Sequence, residues 1–139
     1  MTIQTAVSDE EIQKCYLVMC QLRPHLAAER FVPRVRLQQE EGYALAYLEE
    51  DGQVRAVAGF RIMENLMSGR VLYVDDLVTD TEARSRGWGG ELLSWLIDRA
   101  RAKDCQTLEL DSGVQRFDAH RFYLTHRMAI SSHHFRLIL

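Results

Sequence analysis

The period of the apolar residues changes at residue 43, and that change constrains the fold more than any other feature. Before it, Ile12, Cys15, Tyr16, Met19 and Leu22 recur at helical spacing. Ser8 with Glu11 three residues on makes a capping box in front of them, and Pro24 closes that helix or lies just past it. A second helical stretch over about 27–39 carries Phe31, Val35 and Leu37 among charges. A short strand, Ile3 to Val7, precedes both. From Tyr43 on, the pattern is that of strands: Tyr43 to Glu49, Val54 to Met63 and Val71 to Thr79. Glu50-Asp51-Gly52 suits a tight hairpin turn, and Asn65 to Gly69 makes the next connection. The middle of the chain is therefore an antiparallel meander. Gly59, inside its second arm, marks a bulge or a close approach of backbone.

Beyond residue 79 strands and helices alternate. Leu92, Leu93, Leu96, Ile97 and Ala100 form the apolar stripe of an amphipathic helix. Thr107 to Asp111 reads as a strand and Asp118 to His126 as a short helix with Ala119, Phe122 and Tyr123 inward. His133 to Leu139 reads as a last strand. A strand–helix–strand crossover requires a parallel pair, so the order predicts an α+β fold with a mixed, mostly antiparallel central sheet. At 139 residues the expectation is one domain, 1–139, without linker or repeat.

A hydrophobic fraction of 47% with 27% charged residues is that of a folded chain. The formal charge of -3 argues against nucleic acid, which requires a broad basic footprint. No window approaches the roughly 18 apolar residues of a membrane span. The first residues, MTIQTAVSDEE, have neither the basic nor the apolar region of a secretory signal. Cys15, Cys20 and Cys105 show no CxxC spacing, so free thiols in a reducing cytoplasm are expected. His133 and His134 are strand neighbours and face opposite ways. With His120 and His126 they make no metal-ligand spacing, so no metal is expected.

One segment stands apart. TEARSRGWGGELL, residues 81–93, places Arg84, Arg86, Gly87, Gly89 and Gly90 directly before the amphipathic helix. A helix N-terminus exposes unpaired N–H groups and the positive end of the helix dipole. Glycines let a ligand approach that backbone, and arginine forks suit phosphate oxygens. The spacing rejects two familiar phosphate sites. A dinucleotide fingerprint needs glycine where Leu92 stands, and a P-loop needs Gly-Lys followed by Ser or Thr.

Arg84-Ser85-Arg86-Gly87-Trp88-Gly89 resembles the acyl-CoA loop of the GNAT superfamily of N-acetyltransferases, whose signature is Gln or Arg, two residues, Gly, one residue, then Gly or Ala. The preceding Asp75-Asp76-Leu77-Val78-Thr79 and the later Ala119-His120-Arg121-Phe122-Tyr123 are similar to family segments too, in the family's order. The resemblance implies a three-layer fold with helices on both sheet faces and a splayed parallel strand pair. It implies acetyl-CoA as cosubstrate, without metal, and transfer of its acetyl group to a primary amine on a small molecule or peptide. The amides of Arg84, Ser85, Arg86, Gly87, Trp88, Gly89 and Gly90 would cradle the coenzyme A pyrophosphate. Leu77, Val78 and Thr79 would pair with the pantetheine arm, with a donor near Val78 polarising the thioester carbonyl. Tyr123 holds the position of the family's proton donor to the leaving thiolate. Homodimers are common among relatives, and the resemblance leaves that state open.

The base is read from the residues alone. Asp75 and Asp76 are adjacent in a strand and face opposite ways unless a bulge resets the alternation; Asp76 is the candidate taken here. Glu109 and Asp111 share one face of their strand and remain alternatives. A non-catalytic acyl-CoA-binding module would keep the loop without needing Tyr123 or a carboxylate at the cleft. Two departures from the family stand out: Arg127-Met128 where many relatives have Gly-Phe, and no proline near Thr81.

Overall fold

A computed structural model describes residues 1–139, apart from the side chain of Ser85. The chain packs as two compact units, Met1–Glu109 and Leu110–Leu139. In the first, β1 (Thr2–Thr5) leads to α1 (Asp9–Lys14), α2 (Tyr16–Leu22) and α3 (Ala28–Gln39). The strands β2 (Tyr43–Glu50), β3 (Gln53–Asn65) and β4 (Gly69–Thr79) follow. A 3₁₀ turn (Thr81–Arg86), α4 (Trp88–Ala102) and β5 (Thr107–Leu110) come next, and α5 (Phe117–Thr125) lies in the second unit.

The capping box forms as read. Ser8 Oγ accepts the Glu11 N–H at 3.1 Å, and Glu11 Oε1 accepts the Ser8 N–H at 2.9 Å. The Ser8 N–H and the Val7 N–H, the latter at 3.2 Å, both donate to Glu11 Oε1, which favours the carboxylate and lowers the Glu11 pKa. The single helix expected here is broken at Cys15, which caps α1 and opens α2. Its buried thiol turns back to the Glu11 carbonyl, and burial pushes its pKa up to about 12.

The five strands lie in the order β1-β2-β3-β4-β5, antiparallel from β1 to β4 and parallel between β4 and β5. Alternation along β2 separates two faces. Tyr43, Leu45 and Tyr47 join Ile12, Val18, Met19, Phe31 and Val35 in one buried cluster beneath α1, α2 and α3. On the other face Phe60 meets Trp95 of α4 edge-on, 6.1 Å between ring centroids. Leu92, Leu93 and Leu96 of α4 are fully buried there.

Two extra residues interrupt the ladders. Arg55 is extra on β3, since Leu48 pairs with Ala56 and Glu49 with Val54. Asp75 is extra on β4, since Gly59 pairs with Asp76 and Phe60 with Val74.

The second unit differs from the sequence expectation. α5 is present, but the last strand is not: residues 129–139 have no regular structure, and Phe135, Leu137, Ile138 and Leu139 are exposed. The alternation of Phe135, Leu137 and Leu139 meets the side-chain requirement of a strand. A strand also needs a neighbour to satisfy its N–H and C=O groups, which no pattern within one segment supplies. Arg127 adopts a left-handed backbone with φ 68°, a conformation that favours glycine.

Candidate active site

The arginine–glycine loop begins where β4 ends. Asp80 caps the 3₁₀ turn through its carboxylate, which accepts the Glu82 N–H at 3.3 Å. Gly87 follows with φ 79°, a left-handed residue that ends the turn and caps α4 at once. A side chain there would strain the backbone, which is why glycine stands at this point. The helix starts earlier than its apolar stripe suggests: Trp88, Gly89 and Gly90 are its first three residues. Their amides precede the first intrahelical bond, from Glu91 N–H to Gly87 O at 3.1 Å. They are therefore the orphan donors at the positive end of a fifteen-residue helix.

Arg84 and Arg86 are exposed, and among the described residues neither forms an ion pair with a carboxylate. The Trp88 side chain is buried, with Arg55 5.2 Å and Arg86 5.8 Å above its ring. It packs the loop onto the sheet and presents only its main chain outward. Ser85 lies outside the described side chains.

Along β4 the register decides which main-chain groups face outward. Asp80 N–H donates to Arg55 O at 2.8 Å, so Asp80 faces β3. Main-chain direction alternates along a strand. Val78, opposite Val57, then also faces β3, while Leu77 and Thr79 turn their N–H and C=O groups to the outer edge. The main-chain groups of Val78 therefore belong to the ladder with β3. β5 covers only part of that edge: it has four residues against eleven in β4 and starts near the Gly69 end, where Gln106 N–H donates to Arg70 O at 2.7 Å.

At the bulge both aspartates reach the α1–α3 face, because the extra residue resets the alternation. Asp75 takes a two-pronged bond from Arg61, at 3.1 and 2.7 Å. Asp76 accepts from Arg23 Nε at 2.9 Å and from the Tyr43 hydroxyl at 2.8 Å. Arg23 Nη2 also donates to the Asp75 carbonyl at 3.0 Å. Tyr43 is buried, and burial together with the Asp76 charge holds its pKa well above 10. Its hydroxyl lies over Gly59, where an added Cβ would collide with it and stand 2.6 Å from Asp76 Oδ2. This is the close approach that a glycine within a strand foreshadowed. Arg23, Tyr43 and Arg61 carry no motif, and nothing in the sequence joined them to Asp75 and Asp76.

In the second unit Tyr123 is half-buried beside Phe122, at 5.5 Å between ring centroids. Burial raises its pKa above 10, opposed by Arg116, which favours the phenolate through its charge and a hydrogen bond. His120 and His126 are spent on the carbonyls of Gly113 and Phe122, each at 2.7 Å. Asp111 lies 3.6 Å from His134. Among the described residues no three His, Cys, Asp or Glu side chains are grouped as metal ligands, and no helix is long and apolar enough to cross a membrane.

A loop of arginines and free helix-end amides thus follows a bulged strand on a mixed five-stranded sheet. The Acetyltransferase (GNAT) family matches residues 9–127, and the chain belongs to that family. A protein of Bacillus subtilis (strain 168), described as the uncharacterized N-acetyltransferase YhdJ, is 39% identical over 117 residues, 84% of this chain and 82% of that one. An aminoalkylphosphonate N-acetyltransferase of Salmonella typhimurium is 36% identical over 63 residues, 45% of this chain and 40% of its own. Among solved structures, the aminoglycoside N-acetyltransferase AAC(6')-Iy in complex with CoA superposes with a TM-score of 0.87. At 13% identity, over 99% of this chain and 93% of that one, this is a likeness of fold.

Proposed function

We propose that the chain transfers the acetyl group of acetyl-CoA to a primary amine by direct attack. One observation carries this reading: the free amides of Trp88, Gly89 and Gly90 and two exposed arginines without carboxylate partners among the described residues lie in one stretch directly after β4. An anionic pyrophosphate satisfies the amides and the charges together. With the pyrophosphate at the loop, the thioester end of the cosubstrate points back along β4 towards the bulge. Thr79 and then Leu77 offer their outward main-chain groups to the pantetheine arm. Leu77 N–H, the nearer to the bulge, polarises the thioester carbonyl and holds the oxyanion that develops there.

The acceptor attacks as the neutral amine. Its C–N bond forms, the C–S bond breaks, and the electron pair leaves on the coenzyme A sulfur. The amide product sheds the extra amine proton to water, and the thiolate is received by a hydrogen-bond donor. We assign that donor to Tyr123, whose raised pKa keeps it a phenol at neutral pH. Asp76 serves better as an anchor than as a base, because Arg23 and Tyr43 already occupy both of its oxygens. Positioning the two substrates supplies much of the rate in such a site.

Calorimetry with coenzyme A is the direct test. Binding by wild type, with affinity lowered about 30-fold in Arg84→Ala/Arg86→Ala and no competition from ATP, supports the site. A folded wild type that ignores coenzyme A overturns it. An acceptor screen then begins with aminoalkylphosphonates, the amines named for the Salmonella relative. With a turned-over amine in hand, Tyr123→Phe lowers kcat about 100-fold if the tyrosine is the donor. An unchanged kcat removes that role.

A further inference from the structure

The last turn of α2 grips β4 at two points. Arg23, its C-cap, holds the Asp75 carbonyl and the Asp76 carboxylate at the bulge. Gln21 holds the other end, where β4 gives way to the anion loop. Its Nε2 donates to Asp80 Oδ1 at 3.2 Å, and its Oε1 accepts the Thr81 N–H at 2.9 Å. Asp80 is at the same time the cap of the 3₁₀ turn and 3.9 Å from Arg55, the extra residue of β3. Thr81 is the first residue of the turn that carries Arg84 and Arg86.

Both halves of the carboxamide are used, one as donor and one as acceptor. Only Asn and Gln offer that pair on adjacent atoms, and only Gln has the extra methylene of reach. Gln21 itself is exposed and buries nothing, so packing does not account for its place. Its bonds cross from a helix to a loop fifty-nine and sixty positions along the chain.

We propose that Gln21 is a positioning residue for the anion loop: it fixes the direction in which the loop leaves β4, so that the amides and arginines beyond it converge before the cosubstrate arrives. The inference rests on the acyl-CoA reading of that loop. A loop free to swing at Asp80 and Thr81 must be ordered on binding, and that ordering is subtracted from affinity. The chemistry of the bound complex is untouched, because Gln21 meets no reacting atom. Its loss therefore raises Kd and KM and leaves kcat alone.

The test compares three proteins for coenzyme A binding by calorimetry and for turnover of acetyl-CoA. Gln21→Met keeps the length and adds no charge, and raises Kd about fivefold, the size of one or two exposed hydrogen bonds. kcat at saturating acetyl-CoA stays within about twofold of wild type. Gln21→Glu keeps the acceptor for Thr81 but sets a carboxylate against Asp80, and weakens binding further. A thermal melt on each variant separates positioning from folding. If Gln21→Met leaves Kd unchanged, whether or not it lowers Tm, Gln21 has no positioning role. If wild type itself does not bind coenzyme A, the acyl-CoA reading fails first and takes this inference with it.

Discussion

At the bulge, Arg23 and Arg61 each reach an aspartate, a buried tyrosine completes one of the pairs, and a glycine makes room for it. In the loop after β4, Arg84 and Arg86 stand exposed, with no carboxylate partner among the described residues. Both regions hold two arginines at one sheet strand. In the first, the charges are neutralised inside the fold, so the region sets the shape of β4. In the second, they are left over in the same stretch of chain as three helix-end amides, the kind of group that favours an anion. Polar groups that find partners within the chain contribute to stability, and those left without them are available for binding.

The comparison predicts opposite responses to substitution. Gly59→Ala has the largest effect on folding: the new methyl displaces the Tyr43 hydroxyl from Asp76, at about 2–3 kcal/mol by analogy with overpacked cores. Urea unfolding measures it, and a loss under about 0.5 kcal/mol would show that the bulge yields easily. Arg84→Ala/Arg86→Ala is the converse. Its midpoint of unfolding stays at the wild-type value, while coenzyme A affinity falls about 30-fold. A double variant that unfolds early would show that the loop arginines serve the fold, and the contrast would be lost.

Tyr43→Phe sharpens the comparison by removing one hydrogen bond and no volume, at about 1.5 kcal/mol. It also changes the alkaline limb. The Tyr43 pKa is raised above 10 in the folded state, so the stability it contributes is fully present below pH 10 and lost as pH rises through the folded value. Wild type therefore loses stability above about pH 10 more steeply than Tyr43→Phe. Equal slopes would place the titration elsewhere. The smallest effect is at the acid end. Glu11 has a lowered pKa, so its contribution is present above 4.5 and fades as pH falls through the folded value. Glu11→Gln keeps an acceptor for the Ser8 N–H and flattens that limb. An unaltered acid limb would show that the box is silent.

Much of the site was legible because its signals are local. Gly87 is needed by its own φ, and Ser8 and Glu11 cap each other across three residues. The arginines and glycines of the loop lie within one stretch of chain. What was hidden is non-local. Adjacent aspartates in a strand face apart unless a bulge intervenes, and the bulge that turns both to one face depends on how Gly59 and Phe60 pair across the ladder. Gln21 and Arg23 sit on a helix far from β4 in sequence, and no spacing rule connects them to it. The expected last strand failed for the same reason, since alternation describes a side-chain pattern and a ladder requires a neighbour.

The sequence by itself determined the central meander, the crossover helix and strand after it, the turn glycines and the place of the arginine–glycine loop. Each follows from backbone preference or from periodicity within a few residues. Tertiary structure alone decided which carboxylates were taken up by arginines and which arginines were left free. It also turned Leu77 and Thr79, not Val78, to the open edge of β4. Pairing and register are properties of two segments at once, and only the folded chain brings the second segment into reach.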